Sequence, residues 1–414
     1  MSLSTGQDSV ATLTPVLDDA PCSPLPQGEG LGGRASEARA GAASFVDRWR
    51  ELEWDDIGMQ IRAKTTRDVE RALANPRRTL ADFMALISPA AEAYLPQMAQ
   101  LAERLTRQRF GNTIGFYVPL YLSNLCANDC TYCGFSMSNR LKRKTLNTEE
   151  IERECLAIKA RGFDSVLLVT GEHESKVGMA YFREHLPQIR RHFSALAMEV
   201  QPLSQADYAE LKTLGLDAVM VYQETYHAPS YARHHLRGNK QDIDWRLATP
   251  ERLGRAGIDK IGLGALIGLS SDWRADSYFV AEHLSWLERH HWQSRYSLSF
   301  PRLRPCTGGL QPGVVMSDRQ LVQLICAWRL FSPTLELSLS TRESPAFRNG
   351  ALRLGITQMS AESRTQPGGY AEGDKEELEQ FAIHDARPLG EVADAVRQAG
   401  LQPVFKDWEA FLGR

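Results

Sequence analysis

The chain has no apolar run of the roughly 20 residues that crossing a bilayer takes. Its first residues lack the basic start and apolar core of a secretory signal. Nor does one sign of charge dominate: 48 Lys and Arg against 51 Asp and Glu leave a net charge of -3. That balance gives no electrostatic reason to expect nucleic acid or an anionic membrane as partner. Cysteine is sparse as well, seven in 414 residues, too few for a disulfide scaffold. Three are clustered, and Cys22, Cys155, Cys306 and Cys326 are scattered, so a reducing, cytoplasmic interior is the expected address. A dinucleotide fingerprint is missing too. The glycines of Gly262-Leu-Gly264-Ala-Leu-Ile-Gly268 have the wrong spacing and lie within an apolar run instead of at a strand-to-helix turn. Close packing, or a backbone facing a ligand, is expected of them.

Against this background stands Cys126-Ala-Asn-Asp-Cys130-Thr-Tyr-Cys133, directly after the apolar run 116–122. Three thiolates from one loop hold three irons of a four-iron cluster and leave the fourth iron open, as in catalytic metal sites. A zinc knot or three buried thiols are the plainer alternatives. Zinc would want a fourth Cys or His, and residues 134–144 contain neither. The spacing Cys-x3-Cys-x2-Cys resembles that of the radical S-adenosylmethionine enzymes. In those enzymes the cofactor's methionine part chelates the fourth iron.

Residues 1–42 are rich in Gly, Ala, Ser and Pro, a composition that buries too little apolar surface to offset ordering. They are expected to be a disordered leader. Helical periodicity follows over 43–111 and breaks at Gly111-Asn112. Beyond it, eight short apolar runs (116–122, 165–170, 197–201, 218–223, 260–269, 296–300, 335–340 and 356–360) are separated mostly by amphipathic stretches. That alternation predicts a parallel sheet, and eight units in about 250 residues suit a closed (β/α)8 TIM-type barrel over 112–372. A C-terminal helical extension over 373–414 completes the expected α/β architecture, with an open doubly wound sheet as the runner-up. Barrel enzymes keep their chemistry at the carboxyl ends of strands, which is where the cysteines lie.

Other strand ends carry polar groups. The second ends in Val169-Thr-Gly171-Glu172-His173, where glycine permits close backbone approach to a ligand; His173 reads as a solvated loop residue. The fourth ends in Gln223-Glu224-Thr225, and a carboxylate there suits a ribose or an amine. In radical S-adenosylmethionine barrels a glycine-rich segment at the second strand end contacts the cofactor's amino group. Gly171, Glu172, Gln201, Glu224 and Arg237 are therefore the expected cofactor-binding set. Cys126, Cys130 and Cys133 are the expected metal ligands.

The cysteine loop, Gln223-Glu-Thr-Tyr-His227, the 262–269 segment, Ser340-Thr-Arg-Glu343 and Met359-Ser-Ala…Pro367-Gly-Gly-Tyr370 together resemble the 2-iminoacetate synthases. These are the radical tyrosine lyases of thiamine thiazole biosynthesis, and the likeness runs from about Phe45 to Trp408. It implies a [4Fe-4S] cluster, S-adenosyl-L-methionine, and cleavage of the Cα–Cβ bond of L-tyrosine to 2-iminoacetate and p-cresol. It also implies a thiazole synthase partner and a flavodoxin or ferredoxin reductant. A tyrosine carboxylate needs a cationic, preferably bidentate donor, and Arg342 at the seventh strand end suits it. Ser340, Thr341 and Glu343 lie beside it, and Arg348 and Arg302 are the fallback cations. Ser360 and Ser363 are placed near the same pocket. Residues 381–387 resemble a family segment, with helix capping or an interface as the alternative. Among rivals, the hydrogenase-maturation tyrosine lyase carries a second cluster on C-terminal cysteines, whereas no cysteine follows Cys326. A tryptophan lyase and a catalytically dead zinc scaffold remain as alternatives.

Overall fold

The computed structural model describes residues 44–304, 310–373 and 379–406. The expected leader, Cys22, Cys306 and Trp408 lie outside the described residues. Eleven strands occur among those described: β1 (Thr113–Ser123), β2 (Asp129–Cys130), β3 (Ser165–Thr170), β4 (Ala195–Glu199), β5 (Ala218–Met220), β6 (His235–Arg237), β7 (Lys260–Gly264), β8 (Arg295–Ser299), β9 (Glu336–Leu339), β10 (Gln358–Ser360) and β11 (Gln402–Val404). Eight are parallel neighbours in the order β1-β3-β4-β5-β7-β8-β9-β10, and β10 pairs back onto β1. The sheet is closed, so the open doubly wound alternative fails.

Strand chemistry explains the two-sided core. In β3, Ser-Val-Leu-Leu-Val-Thr is buried throughout, as a parallel strand covered on both faces must be. Val166 and Leu168 join Leu196, Met198 and Val219 in the main core. Alternate residues Leu167 and Val169 form a smaller cluster with Tyr121, Phe135 and Ala197 inside the barrel. The β7 glycines serve packing. A Cβ on Gly262 would meet Met220 Sδ at 2.0 Å, and one on Gly264 would meet the Ser299 carbonyl oxygen at 2.2 Å.

The helices before β1 run Phe45–Arg50, Trp54–Arg62, Thr66–Ala74, Leu80–Ile87 and Leu95–Phe110. Three begin with reciprocal capping boxes, Ser44 with Asp47, Thr65 with Asp68 and Thr79 with Asp82, each satisfying two otherwise orphaned backbone donors. They pack on the barrel helices Trp273–His290 and Asp318–Phe331. Phe45 stacks on His283 at 3.8 Å, and Phe83 meets Trp328 at 4.6 Å.

The C-terminal extension is not purely helical. After the helix Leu389–Gln398, β11 pairs in parallel with Thr113–Gly115. The cause is the length of β1: β3 pairs with it only from Val118 onward, so its first residues leave an edge that β11 fills. Before that helix, the segment from Glu379 to Asp385 is bonded to the loops above the barrel. Gln380 N donates to the Thr365 carbonyl at 3.1 Å, while His384 N and Asp385 N donate to that of Thr341 at 2.9 and 3.0 Å. Asp385 also pairs with Arg348, both side chains fully buried. Asp385→Ala leaves a buried guanidinium without its counter-charge, a loss of about 3–5 kcal/mol. The urea unfolding midpoint is expected to fall sharply, and an unchanged midpoint would show that the pair does not hold the segment down.

Candidate active site

β1 delivers the chain into the cysteine loop, which is held by backbone contacts on every side. Arg143 donates to the carbonyls of Asn124, Phe135 and Ser136 at 2.7, 2.8 and 2.7 Å. Ser136 Oγ accepts from Cys130 N at 3.0 Å and donates to Asp129 at 2.5 Å. β2, inside the loop, pairs antiparallel with β6. His234 and His235 bond Thr131 Oγ1 and Tyr132 OH, each at 2.7 Å. Neither short strand shows apolar alternation, so their pairing is a tertiary product.

Gly171 follows β3 and donates its N–H to the Ser123 carbonyl at 2.9 Å. A Cβ there would sit 2.3 Å from the Leu125 carbonyl oxygen and 3.1 Å from Cys126 Cβ. Only glycine lets the cysteine loop lie this close. The three thiols and the ends of β1, β3, β4, β5, β9 and β10 enclose a cavity of about 170 Å³. Tyr117, Leu167 and Tyr222 line both it and a larger cavity of about 840 Å³ at the opposite end of the barrel. The larger space holds no cysteine, and the chemistry belongs to the smaller one.

Four charges are buried together beneath the loop. Glu172 accepts from Asn128 Nδ2 at 2.8 Å and Arg246 at 3.0 Å, with Lys240 at 3.8 Å. Glu224 accepts from Lys240 at 2.8 Å and has Arg246 at 3.6 Å. Burial works to raise the Glu224 pKa, yet Lys240 and Arg246 hold it below the usual carboxylate range. Glu224 also sits at φ 72°, a strained backbone for a residue with a side chain, of the kind concentrated at functional sites. Lys240 and Arg246 were absent from the expected set because nothing in the local pattern marks 239–246 as mouth-facing.

The other expected residues divide. Ser340, Thr341, Arg342, Ser360 and Ser363 line the cavity. The Arg342 guanidinium lies 3.4 Å from the centroid of the Phe381 ring and makes no hydrogen bond or ion pair among the described residues. The fallback cations are committed elsewhere, Arg348 to Asp385 and Arg302 to Glu343 and Asp318. Glu343, bound by Arg302 and near Arg304, does not line the cavity. Neither does Gln201, whose Nε2 donates to the Val177 carbonyl at 2.9 Å. Arg237 is exposed on β6. The 381–387 segment caps none of the described helices: Phe381 and the preceding Gln380 form part of the cavity wall, and Gln380 takes the Tyr121 hydroxyl at 2.7 Å and faces Cys133 Sγ at 3.8 Å.

The donor set suits a cluster. Among the described residues no three His, Cys, Asp or Glu side chains converge as one metal ion requires, whereas a cubane meets each thiolate at a separate iron. Burial pushes the Cys126 thiol up to about 11 and Cys130 higher, so iron binding must displace protons. Thr170 Oγ1, buried in the cavity wall beside Gly171, has no hydrogen-bond partner among the described residues, which leaves it open to a polar cofactor.

The Radical SAM superfamily profile matches residues 120–279, and that of the Biotin and Thiamin Synthesis associated domain matches 299–402. The 2-iminoacetate synthase of Salmonella typhimurium (strain LT2) is 68% identical over 371 residues, 90% of this chain and 98% of that protein. Its counterpart in Escherichia coli (strain K12) is 67% identical with the same coverage. The chain belongs to the 2-iminoacetate synthase family. It is therefore a radical S-adenosylmethionine lyase that uses a [4Fe-4S] cluster. The solved [FeFe]-hydrogenase maturase HydG of Carboxydothermus hydrogenoformans superposes with a TM-score of 0.75 at 30% identity, covering 87% of this chain and 82% of that one. No described helix is long and apolar enough to cross a membrane.

Within this family assignment the ligand set is directly testable. Cys130→Ala is expected to abolish the cluster's absorbance after anaerobic reconstitution, and with it formation of 5′-deoxyadenosine. Cys155→Ser is expected to keep both, because that thiol is buried in the helix Thr148–Ala160, away from the loop. Loss of the cluster in the Cys155 variant would overturn the ligand set.

Proposed function

We propose that this cavity binds L-tyrosine beside S-adenosylmethionine and cleaves its Cα–Cβ bond to 2-iminoacetate and p-cresol for thiamine thiazole formation. The observation that carries this reading is the unpaired Arg342 guanidinium in the cavity, within the frame of a 2-iminoacetate synthase. Leaving a half-buried cation unpaired is unfavourable. A substrate carboxylate offsets that cost with two parallel charge-assisted bonds. Phe381 lies against the guanidinium, its ring centroid 3.4 Å away, and limits the space in which that group can turn. Ser340, at the same strand end, is assigned to the same carboxylate. Glu343 acts on the loop through Arg302 and not on the substrate.

On the cofactor side, Cys126, Cys130 and Cys133 are assigned to the three irons. Glu172 and Glu224 are assigned to the amine and ribose of S-adenosylmethionine, and Lys240 and Arg246 to its carboxylate. Gln201 and Arg237, standing outside the cavity, are assigned to support of the fold. A reduced cluster held by these three cysteines would supply the one electron that reductive cleavage of the sulfonium of S-adenosylmethionine requires. The residues' task is to hold the substrate at fixed distance and keep water out. The apolar part of the wall, Phe135, Leu167, Val169 and Leu266, suits an aromatic ring. A flavodoxin or ferredoxin is the proposed electron source, and a thiazole synthase the proposed consumer of 2-iminoacetate.

Arg342→Ala is expected to weaken tyrosine binding roughly tenfold to over a hundredfold, the effect of losing about 1.5–3 kcal/mol of charge-assisted bonding. Cluster content and S-adenosylmethionine affinity should persist. Arg342→Lys should recover only part of the loss, since an ammonium cannot present a planar fork. Anaerobic turnover with tyrosine and with tryptophan, followed by identification of the aromatic product, tests the substrate. Production of an indole from tryptophan with no p-cresol from tyrosine would overturn the reading.

A further inference from the structure

Glu199 closes β4 on the strand face that carries Ala195 and Ala197, and its side chain lines the same cavity as Arg342. Its carboxylate makes no hydrogen bond or ion pair among the described residues. The nearby cations Lys240 and Arg246 are already bound to Glu224 and Glu172, and Arg342 influences Glu199 only at a distance. The cavity therefore presents one unpaired anion and one unpaired cation. An α-amino acid carries the opposite pair on a single carbon. We propose that Glu199 receives the ammonium group of the amino-acid substrate while Arg342 receives its carboxylate.

This assignment rests on the tyrosine reading above and extends it to the amine. Two charged anchors fix the α-carbon in position and handedness, and the aromatic ring then has one direction to point. Burial, followed by the charge of Glu224, pushes the Glu199 carboxyl up to about 7. The groups around it do not titrate near that pH. Glu224 lies below the usual carboxylate range, and Lys240 and Arg246 are held charged by the two carboxylates. Tyr117, Tyr121 and Tyr222 are pushed upward, mainly by burial, and Arg342 stays a cation. Only the ionised carboxylate attracts an ammonium. Tyrosine affinity is therefore expected to rise as pH increases through about 7, until the amine itself loses its proton.

The test is equilibrium binding to the unreduced holoenzyme loaded with S-adenosylmethionine, measured anaerobically at pH 6, 7 and 8. The ligands are L-tyrosine and 3-(4-hydroxyphenyl)propanoate, which has the carboxylate and ring but no amine. Wild type should prefer tyrosine roughly tenfold or more. Glu199→Gln should lose most of that preference and the rise with pH, while affinity for the desamino acid and for S-adenosylmethionine stays unchanged. Glu199→Asp, which keeps the charge on a shorter stem, should recover part of the preference and the pH dependence. A Gln variant with wild-type preference overturns the proposal, as does one that loses S-adenosylmethionine instead. If wild type binds tryptophan and not tyrosine, the substrate reading falls alone, and the same comparison with tryptophan and its desamino analogue decides Glu199.

Discussion

Two carboxylates and two cations buried under the cysteine loop are the constraint on which the catalytic end of this barrel depends. Glu172 comes from the turn after β3, Glu224 from the end of β5, and Lys240 and Arg246 from the segment after β6. Their side chains are only 6–15% exposed. Desolvating four charges cancels much of what their attraction gains, so such a set contributes little net stability. Its value is positional. Removing one member would strand another in a poorly solvated site. Asn128 joins the set to the metal loop, bonding Glu172 through its amide and accepting from Lys240 N at 3.0 Å. The loop, two strand ends and the β6 segment thus move together or not at all.

The opposite wall is assembled differently. There the segment ending at Asp385 lies over the mouth through backbone bonds to Thr341, Thr365 and Gly134, and through the buried Arg348–Asp385 pair. It contributes Gln380 against Cys133 and Phe381 against Arg342. A segment remote in sequence therefore contacts both Cys133 of the metal loop and Arg342, the proposed substrate anchor. Gly134 belongs to the same design: a Cβ there would lie 2.5 Å from the Gln380 carbonyl oxygen.

Within the cavity, charge is distributed by purpose. On the proposed cofactor side Glu172, Glu224, Lys240 and Arg246 pair among themselves, while Thr170 Oγ1 has no partner among the described residues. At the proposed substrate side Arg342 and Glu199 make no hydrogen bond or ion pair among the described residues, so the partners they would take are those of a zwitterion. On that reading the cost of two half-buried, isolated charges falls in the free protein and is recovered on binding. The apolar residues of the wall, Phe135, Leu167, Val169 and Leu266, lower the local dielectric, in which each charge selects its counterpart more strongly.

The local sequence determined a good deal. Continuous apolar runs such as 165–170, repeated eight times between helical stretches, specify a parallel barrel because a strand covered on both faces has no polar side. Three cysteines after the first strand locate the metal loop, since barrel loops at that end carry the chemistry. The position of Arg342 on the cavity wall was legible for the same reason. Glu199 was legible in principle, being in phase with Ala195 and Ala197, but a carboxylate in a short alternating strand looks like any exposed one until the barrel closes around it. Only the tertiary structure decided the rest. The β2–β6 and β11 pairings, the capping segment and the commitment of Glu343, Arg302 and Arg348 to ion pairs all join residues far apart in the chain. Whether a charged side chain is a structural partner or a free ligand group depends on which other charges are brought within hydrogen-bonding distance. No local pattern records that; the closure of the barrel sets it.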